Sequence, residues 1–182
     1  MKKIALIALL LASIQGIAQT LYMTRNGQVS FFSKTPVENI DAINNEATSI
    51  LNIKTGEVAF AVLVKSFRFQ KALMEEHFNE NYMESDKFPK ATFSGKVVNI
   101  ENIDLTKNGV YPVQISGDLT IHGVTQNILA PGTLTIDNNQ LSGTSTFMVV
   151  PEKYNIKIPA LVADKIAREI EIKVNCLYQP KS

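Results

Sequence analysis

The chain has 182 residues, and its 18 basic and 17 acidic residues leave a formal net charge of +1. The lysines are spread thinly between acids, so the basic stripe interleaved with aromatic residues that a nucleic-acid binder needs is absent, and nucleic acid is excluded as a partner. Cys176 is the only cysteine, which excludes an internal disulfide and leaves stability to core packing.

The N-terminus predicts a cleaved signal peptide over residues 1–18. Two lysines precede an unbroken apolar run over residues 4–12, and Gly16-Ile17-Ala18 suits cleavage. The run is well short of the ~20 residues that span a bilayer, so we expect no stable membrane insertion. The expected product is one periplasmic or secreted domain over residues 19–182.

The first part of that domain predicts three strands. Gln28 to Ser33 is typical of a short strand, and the proline and polar residues of Lys34 to Asn39 indicate an irregular crossing. Ala47 to Ile53 predicts a second strand. After a turn at Thr55-Gly56, Glu57 to Phe69 predicts a long third strand.

Both faces of this third strand are apolar. One face carries Val58, Phe60, Val62 and Val64, and the other carries Ala59, Ala61 and Leu63. The first face can line a lumen while the second packs beneath a covering segment, or the strand can be an ordinary core strand. The residues alone leave both interpretations open.

Lys71 to Met83 predicts one internal amphipathic helix. Met74, Phe78 and Tyr82 recur at four-residue intervals with Leu73 alongside, and acidic residues cover the opposite side. Helices that dock on membranes are normally basic on their exposed face. We therefore expect this helix to lie against the body of the domain.

The following segment predicts further strands joined by turns. Ala91 to Val97 alternates cleanly, and Gly95 within it indicates a bulge or bend. A polar loop over Asn99 to Gly109 leads into a strand from Tyr111 to Ile121, which ends at the turn His122-Gly123.

The alternation continues towards the C-terminus. Apolar residues recur from Ile128 to Ile136 and from Leu141 to Val149, on either side of the turn cluster Asp137-Asn138-Asn139-Gln140. A loop to about Lys165 then precedes a closing strand. Short strands and turns that recur without intervening helices predict an all-β barrel or sandwich.

Three segments carry a resemblance to one family. They are Phe88-Pro89-Lys90-Ala91-Thr92-Phe93, Gly117-Asp118-Leu119-Thr120-Ile121-His122-Gly123-Val124-Thr125 and Tyr154-Asn155-Ile156. In this order and spacing the chain resembles the YceI-like family of secreted bacterial lipid-binding proteins. The resemblance implies an eight-stranded antiparallel, lipocalin-like barrel whose lumen holds a polyisoprenoid or other long amphiphilic chain. That family's helix commonly has a basic residue before its acid, where this chain has Met74 before Glu75.

Large residues in the inward phase of the strands, with three from the helix as a lid, are the candidate ligand-binding residues. They are Phe60, Val62, Leu73, Phe78, Tyr82, Phe93, Ile115, Leu119, Ile121, Leu134, Phe147, Val149 and Ile172. A barrel filled by its own side chains would use the same residue types. The sequence therefore leaves open whether the lumen is empty.

The sequence indicates no catalytic residue, no metal site and no cofactor, beyond a bound isoprenoid or quinone-type lipid. His77 and His122 are the only histidines, and neither has a second ligand at the spacing that metal sites show. We expect His122 to end a strand and bond nearby acceptors. Cys176 falls on the apolar phase of the last strand and is expected to be an inert core residue.

These observations favour an exported, non-enzymatic protein that holds a long-chain isoprenoid, quinone or similar amphiphilic lipid for carriage or storage. One alternative is a ligand-free envelope interaction protein whose barrel is filled by side chains. Another is a small lipid hydrolase or isomerase that acts through His122 or His77. A long-chain lipid is the expected partner, and a homodimer is left open.

Overall fold

The structure is a computed structural model that describes residues 20–104 and 106–181, so the predicted signal peptide at 1–18 lies outside the described residues. Nine strands and one short α-helix, α1 (Ala72–His77), are present in the described part. The strands are β1 (Leu21–Lys34), β2 (Asn39–Asn52), β3 (Glu57–Leu63), β4 (Arg68–Phe69), β5 (Lys90–Val98), β6 (Gly109–Ile121), β7 (Val124–Asp137), β8 (Gln140–Val149) and β9 (Ile170–Pro180).

Eight of these strands close into an antiparallel barrel. Their order is β1-β9-β8-β7-β6-β5-β3-β2, and β2 pairs back with β1 from Leu21↔Asn52 to Lys34↔Asn39. The two-residue strand β4 pairs with Ala42 and Ile43 of β2, beyond the point where β3 has left it. Closure removes the exposed edges of the eight-stranded sheet, and the expected barrel with one short helix is confirmed.

Two of the hairpins turn on residue pairs that the sequence marked. His122-Gly123 joins β6 to β7 with φ of 51° and 73°, and Asn138-Asn139 joins β7 to β8 with φ of 47° and 66°. A two-residue turn with positive φ at both positions matches the twist of the flanking strands, and glycine and asparagine adopt this conformation most readily. Both predicted turns are confirmed.

Of the bulge or bend predicted at Gly95, the bulge is absent. Gly95 pairs in continuous register with Val58 on one side and Gly117 on the other. A Cβ atom at Gly95 would clash with the carbonyl oxygen of Ser116 and with the Phe93 ring. The glycine therefore makes room for an inward aromatic ring and for the neighbouring backbone.

The third strand is shorter than predicted. It ends at Leu63, because its partner β5 begins only at Lys90, opposite Leu63. Beyond that point the backbone groups find other partners: Asn44 donates its side-chain N–H to the Leu63 carbonyl at 2.9 Å, and Val64 N–H donates to Pro89 O at 3.0 Å. The chain makes a single 3₁₀ turn over Val64–Ser66 before β4.

The helix is also shorter than the predicted 71–83. After His77 the chain widens into a π-type turn over Phe78–Tyr82, in which Met83 N–H donates to the Phe78 carbonyl at 2.8 Å. The wider turn leaves both Phe78 and Tyr82 facing the barrel interior. Glu84, with φ of 42°, then ends the segment.

Several strand limits differ from the sequence-based boundaries. β1 begins at Leu21 and β2 at Asn39, earlier than predicted, and β9 begins at Ile170, later than the predicted end of the loop. The predicted irregular crossing at 34–39 is a tight turn. Its conformation is fixed by the Thr35 hydroxyl, which accepts from Glu38 N–H at 3.0 Å.

The two ends of the barrel are built differently. The end that carries the β2–β3 and β7–β8 turns, called the closed end, is filled by a hydrophobic cluster that includes Leu51, Val97, Leu141 and Tyr178. The opposite end, called the open end, carries the β1–β2 turn at 35–38, α1 and the segment 158–169. The interior is therefore bounded by this cluster at the closed end and by the β1–β2 turn, α1 and the segment 158–169 at the open end.

Candidate ligand-binding cavity

A cavity of about 620 Å³ occupies the barrel interior. Its walls are mainly aliphatic and aromatic side chains, because alternate residues of every long strand point inward. Small-molecule sites in proteins typically measure ~300–1,000 Å³. The interior therefore has the size and polarity of a binding site for an apolar molecule, and it is not filled by the barrel's own side chains.

All thirteen residues proposed from the sequence lie along this cavity. They are Phe60, Val62, Leu73, Phe78, Tyr82, Phe93, Ile115, Leu119, Ile121, Leu134, Phe147, Val149 and Ile172. Those on strands face the cavity because successive side chains of a strand point to opposite faces of the sheet. Leu73 is 60% exposed, which places it at the rim rather than inside. Their contact with a ligand stays a prediction.

The sequence reasoning missed an aromatic group beside α1. Phe31, Phe67 and Phe69 surround Phe78, with ring centroids 5.3, 5.7 and 5.1 Å from its own. All four line the cavity. Phe31 shares the inward phase of Val29 and could have been found from alternation, whereas Phe67 and Phe69 follow the unpredicted turn at Val64–Ser66.

This aromatic group joins three elements at one side of the open end. It connects β1, β4 and the turn after α1 through side-chain packing, with the Phe31 and Phe78 rings stacked at an interplanar angle of 26°. Aromatic pairs at such distances add about 0.5–1.5 kcal/mol beyond their buried area. The helix is thereby held over the barrel by rings that a ligand would also touch.

The charged side chains that line the cavity lie at the open end. Glu38, Lys71, His77 and Lys165 line the cavity there. Lys71 Nζ lies 3.3 Å from Glu38 Oε1. The walls deeper inside carry no side chain that is charged at neutral pH among the described residues that line them. An amphiphile would therefore place its tail inside and its polar group at the open end.

The three segments that carried the family resemblance meet at a single junction around His122. The His122 ring packs against Phe88 with centroids 4.4 Å apart. Its Nδ1–H donates to the Tyr154 carbonyl at 3.1 Å, and Nε2 lies 2.8 Å from Glu84 Oε2, forming an ion pair when the ring is protonated. The expectation that His122 ends a strand and bonds nearby acceptors is confirmed.

The contacts of this junction are with the protein itself and not with the cavity. His122 does not line the cavity, and its side chain is only 9% exposed. It ties the β6–β7 turn to the segment after α1 and to the 3₁₀ turn Pro151–Tyr154. Phe88, His122 and Tyr154 therefore hold the covering segments, the chain over 64–89 and 150–169, against the β6–β7 turn, while the cavity wall is made by other residues.

The single thiol lies at the closed end. Cys176 is buried, and burial raises its pKa from 9.0 to about 12. Burial likewise raises the pKa of neighbouring Tyr178, whose hydroxyl hydrogen-bonds the Ser49 hydroxyl at 2.9 Å. A thiol that stays protonated at neutral pH is a poor nucleophile, which agrees with the expected inert core role.

Two further observations concern the described residues alone. Residues 20–104 and 106–181 contain no group of three or more His, Cys, Asp or Glu side chains arranged to hold a metal ion. In the same part of the chain, none of the helices has the length and apolar character needed to cross a bilayer.

An eight-stranded antiparallel barrel around one apolar cavity defines a lipocalin-like class of binding fold. The chain belongs to the YceI-like family, since the model of the YceI-like domain matches residues 18–177. Among curated protein sequences, none matches this chain.

Solved structures agree on the fold. A polyisoprenoid binding domain from Saccharophagus degradans has a TM-score of 0.77 at 13% identity, covering 90% of this chain and 99% of its own. BcnA of Burkholderia cenocepacia has a TM-score of 0.70 at 16% identity, covering 84% and 96%. The YceI protein of Campylobacter jejuni has a TM-score of 0.53 at 13% identity, covering 100% and 99%.

Proposed function

We propose that this protein is an exported, non-enzymatic binding protein that holds a long-chain isoprenoid, quinone or similar amphiphilic lipid in its barrel, for carriage or storage. The observation that carries the proposal is the apolar cavity of about 620 Å³ whose charged lining residues lie only at one end. Membership of the YceI-like family and the polyisoprenoid binding domain among its structural neighbours support the ligand class.

The energetics suit a ligand recognised by its tail. A tail that buries on the order of 400 Å² of its own surface gains roughly 10 kcal/mol gross at ~25 cal/mol per Å². Immobilisation and ordering reduce that gain substantially. Micromolar or tighter binding therefore needs no charged residue inside the cavity.

The cavity also sets a scale for the tail. If each carbon-sized group takes about 30 Å³, the share of one water in the liquid, then 620 Å³ holds about 20 carbon atoms. Four isoprene units contain that number of carbons. A longer tail would extend through the open end, past Leu73 and the segment 158–169.

Separate observations support the two other parts of the proposal, export and a non-enzymatic role. Export is supported by the basic start, apolar run and small-residue cleavage site within residues 1–18. A non-enzymatic role is supported by His122 facing the junction instead of the cavity, and by the buried, protonated Cys176.

The test is mass spectrometry of an organic extract from protein purified without detergent, alongside native mass spectrometry of the intact protein. We expect an isoprenoid-like mass in stoichiometric amount. A folded protein that carries no lipid and takes up neither added quinones nor polyprenols would instead favour the ligand-free interaction protein.

A matched pair of variants ties the lipid to the cavity. Ala130 lines the cavity, so Ala130→Phe would place a ring in empty space. Ala59 is exposed on the outer face of β3, and Ala59→Phe adds the same ring outside. We expect the first variant to lose the lipid and the second to keep it, with melting curves showing that both are folded. Equal lipid content in both would contradict binding in the barrel.

A further inference from the structure

An unbroken apolar run lies at the open end of the barrel. Residues 158–163 have the sequence Ile-Pro-Ala-Leu-Val-Ala, and none of these side chains is charged or able to hydrogen-bond. The run contains the 3₁₀ turn Ala160–Val162. Several consecutive apolar residues on a protein surface are normally avoided unless they serve an interaction.

The two sides of this turn face different surroundings. Ile158 and Val162 line the cavity. Leu161 does not line it, and its exposed fraction of 90% is the highest among the large apolar residues of the described chain. The three remaining residues of the run, at 159, 160 and 163, are exposed as well. The barrel interior therefore does not account for the position of Leu161.

Two more exposed apolar side chains lie at the same end. Val37, in the β1–β2 turn, is 59% exposed and does not line the cavity. Leu73, on α1, is 60% exposed. Together with residues 158–163 these two side chains are called the apolar rim.

Polar contacts join the three segments that carry the apolar rim. Lys71 Nζ lies 3.3 Å from Glu38 Oε1, which connects the start of α1 to the β1–β2 turn. Ala167 N–H donates to Ser33 Oγ at 2.8 Å, which connects the segment 158–169 to the end of β1. The apolar rim is therefore one surface around the mouth of the cavity.

We propose that the apolar rim is a docking surface for a lipid bilayer, into which Leu161 and Val37 insert while the cavity mouth faces the membrane. This inference rests on the proposed function, because a bilayer is the phase from which a water-insoluble lipid would come. Six apolar residues are far fewer than the ~20 that span a bilayer, so the docking is reversible.

The chemistry of the run fits a bilayer better than a protein partner. Protein interfaces carry about one hydrogen bond per 100–200 Å², and the side chains of residues 158–163 can make none. Segments that lie in the membrane interface bury apolar residues ~5–10 Å deep, with lysines at the level of the headgroups. Lys157 and Lys165 are exposed on the two sides of the run.

The apolar rim is also continuous with the cavity. Leu161 is exposed to solvent, and its neighbour Val162 lines the cavity. A lipid tail that passes from a docked bilayer into the barrel would therefore stay beside apolar side chains. Passage through water would expose the whole tail at a large cost in free energy.

The test measures flotation of delipidated protein with phosphatidylcholine vesicles, and the rate at which the protein removes geranylgeraniol from them. A chain that begins at Gln19 is used, because an uncleaved apolar leader would itself bind vesicles. The variants are Leu161→Gln and, as matched control, Leu129→Gln. Leu129 is 65% exposed on β7 and does not line the cavity. Geranylgeraniol delivered from cyclodextrin measures binding without a membrane.

We expect the unmodified protein to float with the vesicles, at low and at high ionic strength. Leu161→Gln should weaken vesicle binding and slow removal of the lipid about tenfold each, as loss of one buried leucine would give. Leu129→Gln should change neither. All three proteins should bind geranylgeraniol from cyclodextrin equally, and melting curves should show that all are folded.

Three results would overturn the docking proposal: no vesicle binding by the unmodified protein, full binding by Leu161→Gln, or an equal loss in Leu129→Gln. Self-association that Leu161→Gln abolishes, without vesicle binding, would assign the apolar rim to a second copy of the chain instead. Normal uptake from cyclodextrin in any of these cases would leave the proposed function standing. Failure to bind the lipid from either source would overturn the proposed function.

Discussion

The closed and open ends of the barrel differ in how far their side chains are buried and paired with hydrogen-bond or ionic partners. At the closed end Cys176 and Tyr178 are buried, and the Tyr178 and Ser49 hydroxyls bond each other. At the open end Leu73 is exposed, and the side chains of Lys165 and His77 have no partner within the described chain. The same eight strands run between the two ends, so the difference comes from the side chains and from the connecting segments at each end.

This contrast separates what holds the fold from what is free to meet a ligand. Packed interiors resist changes of even one methylene group, because neighbouring atoms cannot close the gap. Exposed apolar and unpaired polar groups contribute little to folding and remain available for contacts. Stability should therefore depend on the closed end, and ligand affinity on the open end and the cavity wall.

The largest expected effect compares one leucine from each end. Leu141 is 3% exposed in the closed-end cluster and does not line the cavity. We expect Leu141→Ala to lower the free energy of unfolding by about 2–5 kcal/mol, through lost burial and a residual cavity. Denaturant unfolding of the lipid-free protein measures this effect.

The matched change at the open end is Leu73→Ala. Because Leu73 is mostly exposed, we expect a change in unfolding free energy within about 0.5 kcal/mol, together with weaker lipid binding. Similar losses of stability in both leucine variants would contradict the division between the two ends.

The two histidines give the next comparison. His122→Gln removes the ring that contacts Phe88, Tyr154 O and Glu84, so we expect a loss of about 1–3 kcal/mol from the lost ring packing and the unpaired Tyr154 carbonyl. His77→Gln should change the unfolding free energy by less than about 0.5 kcal/mol. Thermal and denaturant unfolding of both variants measures the difference, and equal stability of the two would mean that the His122 junction contributes nothing.

Sequence reasoning found the barrel and its interior better than the covering segments, for a physical reason. Strand residues such as Phe93 and Ile115 take their side from period two, which is local information. The limits of β3 and α1 were missed because they depend on distant partners. Asn44 bonds the Leu63 carbonyl, and the wide turn at Phe78 faces the Phe31 ring from another strand.

The sequence could not show that the barrel interior contains a cavity, for a related reason. A lumen and a filled core use the same apolar residues, and only three-dimensional packing distinguishes them. The junction at His122 is a second feature that the sequence alone could not reveal. Its three segments were noticed as separate motifs, but their meeting requires contacts between residues far apart in the chain, Phe88 with His122 and His122 with Tyr154.

A smaller effect should appear when the closed end is stressed by alkali. In the unfolded chain the Cys176 thiol ionises near its ordinary pKa of 9.0, whereas burial holds the folded pKa at about 12. Unfolding thus releases a proton between these values, so stability falls as pH rises from about 9 to 12, by at most ~1.4 kcal/mol per pH unit for one group. Burial of Tyr178 acts in the same direction.

Measured stability between pH 8 and 11 should therefore decline less steeply in Cys176→Ala than in the unmodified protein. The thiol itself should resist alkylation at pH 8 until the protein unfolds. Rapid labelling of the folded protein would show that the closed end opens more readily than its packing indicates. At the open end, His77→Gln should leave the alkaline slope unchanged.

The smallest expected effect is the change in binding free energy for each carbon added to the lipid tail. Its dependence on tail length should show where the cavity ends and solvent begins. Each added carbon buried inside should contribute up to about 0.8 kcal/mol before ordering costs. Once the volume of about 620 Å³ is filled, at roughly 20 carbons by the 30 Å³ estimate, added carbons leave through the open end and should contribute almost nothing. Titration with alcohols of two to eight isoprene units should therefore show affinity rising and then levelling near four units. A steady rise to the longest tail would mean that the segments at the open end move apart and enlarge the cavity. The cavity volume of the structure would then not limit the length of the tail.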